Sequence, residues 1–155
     1  MLSLTDLTVA DVMTVNPVCL RPDATLADAS STLLAKRLTG APVVGADESP
    51  LTVVSTADLL RAYSTEPNAG SVGKQGIATA VQQVPVTCEG SMALTEACER
   101  MVRARTHQLL VVDGGRLVGV LSSTDVVRAV ACIDDLRKSG RFKTDAGAAS
   151  DATST

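Results

Sequence analysis

A chain of 155 residues, 45% of them hydrophobic, is long enough to bury a core without disulfide or metal staples. Its net charge of −3 and its two aromatic rings, Tyr63 and Phe142, argue against nucleic-acid binding, which needs a basic footprint and stacking platforms. A single histidine, His107, and four cysteines with no C-x-x-C spacing argue against a metal centre.

In chain order, the opening "MLSLTDLTVADVM" carries Asp6 and Asp11 and no basic region, so it does not read as a signal peptide. No apolar run approaches the roughly 20 residues of a membrane span. A cytoplasmic location is expected, with Cys19, Cys88, Cys98 and Cys132 as small buried hydrophobes in a reducing compartment. "NPVCL" (Asn16–Leu20) reads as a strand. From Thr25 to Arg37, Leu26, Ala29, Leu33 and Leu34 fall at i, i+3, i+7 and i+8, one face of a helix. Thr25 and Asp28 form the capping box that starts it. Two apolar strands follow, "APVV" (Ala41–Val44) and "LTVVS" (Leu51–Ser55), joined by the polar turn "GADESP". A second helix begins near Thr56. The stretch Ser64–Gly76 is rich in Gly, Pro and polar residues, which places a linker at 67–76.

The same order then repeats. "VPVTC" (Val84–Cys88) matches "NPVCL", and Leu94, Ala97, Met101 and Val102 reproduce the first helical stripe with the same spacing. "LLVV" (Leu109–Val112) and "VGVLS" (Val118–Ser122) are the second strand pair, with "DGGR" between them. The last helix starts near Ser123. Asp125 and Arg128 repeat Asp58 and Arg61 at a single common offset. After Leu136 the composition offers almost nothing to bury, and 137–155 reads as a disordered tail. The expected class is α+β: two pseudo-twofold-related β-α-β-β-α repeats packed sheet to sheet. The first repeat, with its N-terminal entry segment, spans 1–66 and the second 77–136.

Both repeats place Ser-x-x-Asp where a strand becomes a helix. One reading is structural: the hydroxyl caps a backbone N–H and the carboxylate sits at the positive end of the helix dipole. The other is functional: a helix start is a ready anion site, and an Asp carboxylate can accept both hydrogen bonds of a ribose diol. Arg61 and Arg128, one helical turn on, suit i, i+3 ion pairs with the aspartates.

"VADVMT", "KRLTGAPVV", "TVVSTADLL" and "RTHQLLVVDGGRLVGVLSSTDVVRA" resemble a tandem pair of CBS domains, a Bateman module, over about Val9 to Ala131. The resemblance implies a non-enzymatic regulatory module that binds AMP, ADP, ATP or S-adenosylmethionine and requires no cofactor. It also implies sites shared across repeats. One would join Ser55, Thr56 and Asp58 with Val86, His107, Gln108 and Leu110. The other would join Ser122, Thr124 and Asp125 with Val18, Thr39, Ala41 and Pro42. The sequence departs from the family pattern at Thr52, where Gly119 keeps the glycine, and at Leu110, where Pro42 keeps the proline. The entry motif "DVMT" (Asp11–Thr14) is reduced to "TAVQ" (Thr79–Gln82). Thr52 and Leu110 both fall on the Asp58 site.

The expected function is sensing of an adenosine-containing ligand and signalling to a protein partner. The competing expectation is a ligand-free dimerisation or scaffold module in which Ser-x-x-Asp only caps helices. An enzyme lacks support, with no nucleophile–base pair and no Gly-rich phosphate loop. Val126, Val127, Val130, Ile133 and Leu136 cover about half the circumference of the last helix, and Leu59, Leu60 and Tyr63 begin the same pattern in the first repeat. That surplus of apolar surface predicts a homodimer.

Overall fold

The computed structural model describes residues 3–66, 68–81 and 83–139. Its elements are α1 (Val9–Val12), β1 (Thr14–Val15), α2 (Leu26–Lys36), β2 (Gly40–Val44), β3 (Pro50–Ser55), α3 (Thr56–Thr65), α4 (Ala69–Val72), α5 (Ile77–Ala80), β4 (Thr87–Cys88), α6 (Leu94–Ala104), β5 (Gln108–Asp113), β6 (Arg116–Ser122) and α7 (Ser123–Ser139). The class is mixed α+β with an internal repeat, as the sequence predicts.

The duplicated helices agree in length and in how they end. α2 and α6 each have 11 residues, and each stops at an arginine in the left-handed region, Arg37 (φ 54°) and Arg105 (φ 52°). At that position the amide turns back onto carbonyls of the last turn, which closes the helix. Thr25 caps α2 through the Asp28 N–H, and the Thr25 amide and hydroxyl hold the Asp28 carboxyl below the usual carboxylate range. Leu26, Ala29 and Leu33 are buried, as are Leu94, Ala97 and Met101. The fourth member of the expected stripe faces outward in both copies, Leu34 being 79% exposed and Val102 78%. At 100° per residue the three buried positions of each helix fall within about 60° of one another, while Leu34 and Val102 lie about 100° beyond Leu33 and Met101.

The chain forms two compact units. Among the described residues, 3–16, 86–113 and 118–139 make one; those of 17–85 and the hairpin tip Gly114–Leu117 make the other. The first contains a four-stranded sheet in the order β1-β6-β5-β4, with β4 parallel to β5 and β1 antiparallel to β6. The second contains the antiparallel pair β2-β3. The tight turn between β5 and β6 needs positive φ at both Gly114 and Gly115 (54° and 79°), which suits a two-residue hairpin loop. Each unit has its own aliphatic core, around Val9, Leu94, Leu109 and Leu121 in one, and Leu26, Leu33, Val54 and Ile77 in the other.

Entry segments are exchanged between repeats. Thr8 bridges to Ala93 at the start of α6, while Gly76, its counterpart at the head of the second repeat, bridges to Thr25 at the start of α2. The exchange completes the helix starts. The Leu7 carbonyl accepts the Leu94 N–H, and the Gln75 and Gly73 carbonyls accept the N–H groups of Leu26 and Ala27. The packing division therefore departs from the chain-order division at both entry segments. It also gives structure to the stretch expected to be a linker: α4 lies there and its Val72 is fully buried.

Two strands are shorter than "NPVCL" and "VPVTC" suggest. Leu20 makes only an isolated parallel bridge to Val43, and β4 comprises Thr87 and Cys88 alone. Pro17 and Pro85, which lack an N–H for a ladder, stand where the missing strand residues would be. The cysteines divide. Cys88 is buried and Cys98 half-buried, with burial pushing both thiols up, but Cys19 and Cys132 are exposed rather than interior. α7 continues past Leu136 to Ser139, so 137–139 are helical; the rest of the expected tail, 140–155, lies outside the described residues. Among the described residues no helix is long and apolar enough to cross a membrane.

Candidate functional site

Ser55 ends β3 in extended conformation and caps α3, accepting the Asp58 N–H at 3.2 Å. In return Asp58 Oδ2 accepts the Ser55 N–H at 2.9 Å and the Ser55 hydroxyl at 2.6 Å. The second copy repeats this geometry. Asp125 Oδ2 accepts the Ser122 N–H at 2.8 Å and its hydroxyl at 2.7 Å, and Ser122 Oγ accepts the Asp125 N–H at 3.2 Å. The capping reading is thus fulfilled in both repeats. Both carboxylates are buried, and each spends one oxygen wholly on its own cap.

The second oxygen decides what else the motif can do. Asp58 Oδ1 takes Arg61 Nη1 at 3.3 Å and Asp125 Oδ1 takes Arg128 Nη1 at 3.1 Å, the expected i, i+3 pairs. These guanidinium groups are exposed (Arg128 side chain 71%), so solvent can replace them at small cost. The third partner differs between copies. In one unit Thr14 Oγ1, from β1, lies 3.3 Å from Asp125 Oδ1; in the other Gln83 Nε2 donates to Asp58 Oδ1 at 3.1 Å. Neither Thr14 nor Gln83 stands out in sequence as a partner, since the separations are 111 and 25 residues. The one hint is that Thr14 closes the "DVMT" motif.

Gly119 and Thr52 account for that difference. β1 crosses β6 with Val15 opposite Gly119, and a Cβ there would lie 2.6 Å from Met13 Sδ and 3.0 Å from the Thr14 carbonyl. Only glycine admits the strand so closely. In the other unit the described residues 81 and 83–85 after α5 form no strand, and the buried Thr52 hydroxyl instead donates to the Gln83 backbone carbonyl at 2.7 Å.

Each unit also pins its helix start to the residue entering its preceding strand pair. The Thr39 carbonyl accepts the Thr56 N–H, and the His107 carbonyl accepts the Ser123 N–H, both at 2.9 Å. Thr39 and His107 therefore meet the motif of their own repeat. Of the other residues implied for binding, Thr56, Thr124 and Val18 are exposed, Ser55, Ser122, Val86 and Gln108 are half-buried, and Ala41, Pro42 and Leu110 are buried. Leu110 has no exposed surface and its N–H bonds the Val86 carbonyl, so a ligand reaches its side chain only after neighbours move. Beside His107 an apolar groove of about 480 Å³ runs between α6 and α7, lined by Met101, Val102, Val126 and Val127 among others.

Two copies of a strand-borne Ser-x-x-Asp, each on its own small sheet with a helix behind it, define a tandem-repeat module. The chain belongs to the CBS domain family: the family model matches twice, at residues 9–65 and 78–132. CBS-domain pairs are regulatory modules and not catalysts. An uncharacterized protein of Methanocaldococcus jannaschii, MJ1225, is 30% identical over 120 residues, which is 77% of this chain and 41% of that protein. The chain spans less than half the length of the curated relatives it matches. Among solved structures, CBSX2 in complex with AMP is 28% identical with a TM-score of 0.73, covering 83% of this chain and 98% of that one. The CBS domain protein PAE2072 of Pyrobaculum aerophilum, complexed with AMP, is 26% identical with a TM-score of 0.72, covering 85% and 99%.

Proposed function

We propose that the chain senses an adenosine-containing nucleotide and passes the bound state to a protein partner. The observation that carries this is the outer oxygen of Asp125: among the described residues it is held by an exposed arginine and a 3.3 Å threonine contact, so it is an acceptor a ribose hydroxyl can take over. Thr124 offers an exposed hydroxyl at the start of α7, where a phosphate gains from the helix dipole. The AMP bound to CBSX2 and PAE2072 supports the same ligand class. S-adenosylmethionine shares the ribose diol and meets the same acceptor. The free cysteines suit a reducing, cytoplasmic setting.

Thermal denaturation with AMP, ADP, ATP, S-adenosylmethionine and NAD at millimolar concentration tests the reading. A ligand at about one hundred times its Kd adds about 2.7 kcal/mol to stability. At this chain length that raises Tm by about 5–10 °C. No shift with any of the five favours the second reading, a scaffold whose complete capping boxes already satisfy both aspartates.

The reading includes a homodimer. Val127 and Val130 on α7, Val102 on α6, and Leu60 on α3 are exposed, and the groove between α6 and α7 is apolar. A second copy covering these faces removes surface that isolated monomers seldom leave in contact with water. Light scattering at micromolar concentration is expected to give twice the chain mass; a monomer mass contradicts the dimer.

A further inference from the structure

We infer that Gln83 is a tethered competitor for the ligand position at Asp58, making the Asp58 motif the weaker of two unequal nucleotide sites. The inference rests on the nucleotide reading above and concerns contacts within a single unit.

An ionised carboxylate only accepts hydrogen bonds, so the amide end of Gln83 facing Asp58 is its NH2. Oδ2 of Asp58 is consumed by the Ser55 N–H and hydroxyl. Oδ1 is the remaining oxygen, and Gln83 Nε2 at 3.1 Å and Arg61 at 3.3 Å both claim it. A ribose hydroxyl seeking Oδ1 must displace a donor of the same kind as itself. That donor does not diffuse away. The Thr52 hydroxyl holds the Gln83 carbonyl at 2.7 Å, keeping the amide at high effective concentration beside the carboxylate.

In the other unit a threonine hydroxyl takes the corresponding place at 3.3 Å, too long for a strong hydrogen bond and itself able to accept one from a ligand. The Gly-to-Thr departure at position 52 thereby acquires a role: it anchors the segment that carries the competitor.

The test is calorimetric titration of the full chain with AMP. Asp125→Asn weakens the Asp125 motif and so raises the share of binding at the Asp58 motif, and Gln83→Ala is added to that background. Removing the tethered amide is expected to tighten AMP binding about five- to tenfold, the worth of one net hydrogen bond, and Asp58→Asn in the same chain is expected to abolish the gain. Gln83→Met keeps side-chain length without the amide and gives the same gain if competition is the cause; it also serves if the alanine variant fails to fold. Unchanged or weaker AMP binding in both Gln83 variants, while wild type still loses affinity on Asp125→Asn, overturns the competitor and leaves the nucleotide reading standing. AMP binding by neither wild type nor any variant overturns both.

Discussion

Asp125→Asn is expected to weaken AMP binding by about ten- to a hundredfold while lowering stability by only about 1 kcal/mol. The two effects separate because the two oxygens have separate duties. Oδ2 closes the cap on the Ser122 N–H and hydroxyl, and an asparagine carbonyl oxygen still accepts from that N–H. Oδ1 is the position that changes character: a charged acceptor becomes an NH2 donor, which faces a ribose hydroxyl with the wrong partner. Arg128, already exposed, can turn to water, so its lost ion pair adds little. Loss of a charge-assisted hydrogen bond at a partly dry site is worth about 1.5–3 kcal/mol, which gives the stated range of affinity. Calorimetry with AMP and urea denaturation of the same variant supply both numbers. Unchanged affinity makes Asp125 a cap alone.

Leu121→Ala is expected to destabilise the unit built on β6 by about 2–5 kcal/mol. Leu121 is fully buried in β6, the strand between β1 and β5, and packs in the cluster with Val9, Leu109 and Ile133. Among the described residues no aromatic ring belongs to that cluster, so aliphatic neighbours surround the space the leucine leaves. Leu34→Ala, at an exposed position of α2, is the control and should change stability by less than about 0.5 kcal/mol. Urea denaturation monitored by circular dichroism reads both. Equal small losses would falsify the assignment of Leu121 to a tightly packed core.

What could be read from the sequence was mostly local. The capping boxes Thr25/Asp28, Ser55/Asp58 and Ser122/Asp125 each join residues three apart, so spacing alone reveals them. The stripe of α2, Leu26, Ala29 and Leu33, follows from helical periodicity, and its recurrence as Leu94, Ala97 and Met101 identifies the repeat. Leu34 and Val102 show the limit of that argument, because hydrophobic character does not say which side of a stripe a neighbouring helix or sheet will cover. Thr14 and Gln83 lay beyond local reading altogether. Each reaches its aspartate by a long connection, and no spacing rule links a threonine to a carboxylate 111 residues away. The entry segments were hidden for a related reason: a helical turn of four residues has too little periodicity to announce where it packs.

The exchange of entry segments sets an order of events during synthesis. Val9 and Leu7 leave the ribosome well before their packing partners Leu94 and Leu121, and the Thr14 hydroxyl waits for Asp125, 111 residues later. At about 5–20 residues per second that wait lasts on the order of ten seconds. The unit around α2, β2 and β3 is drawn from residues up to Pro85 and the hairpin tip, so most of its chain is available first. The older segment stays unpaired meanwhile, and closing so long a loop slows the final step. The entry segment ahead of β1 is thus made well before its partners and is among the last to find its place.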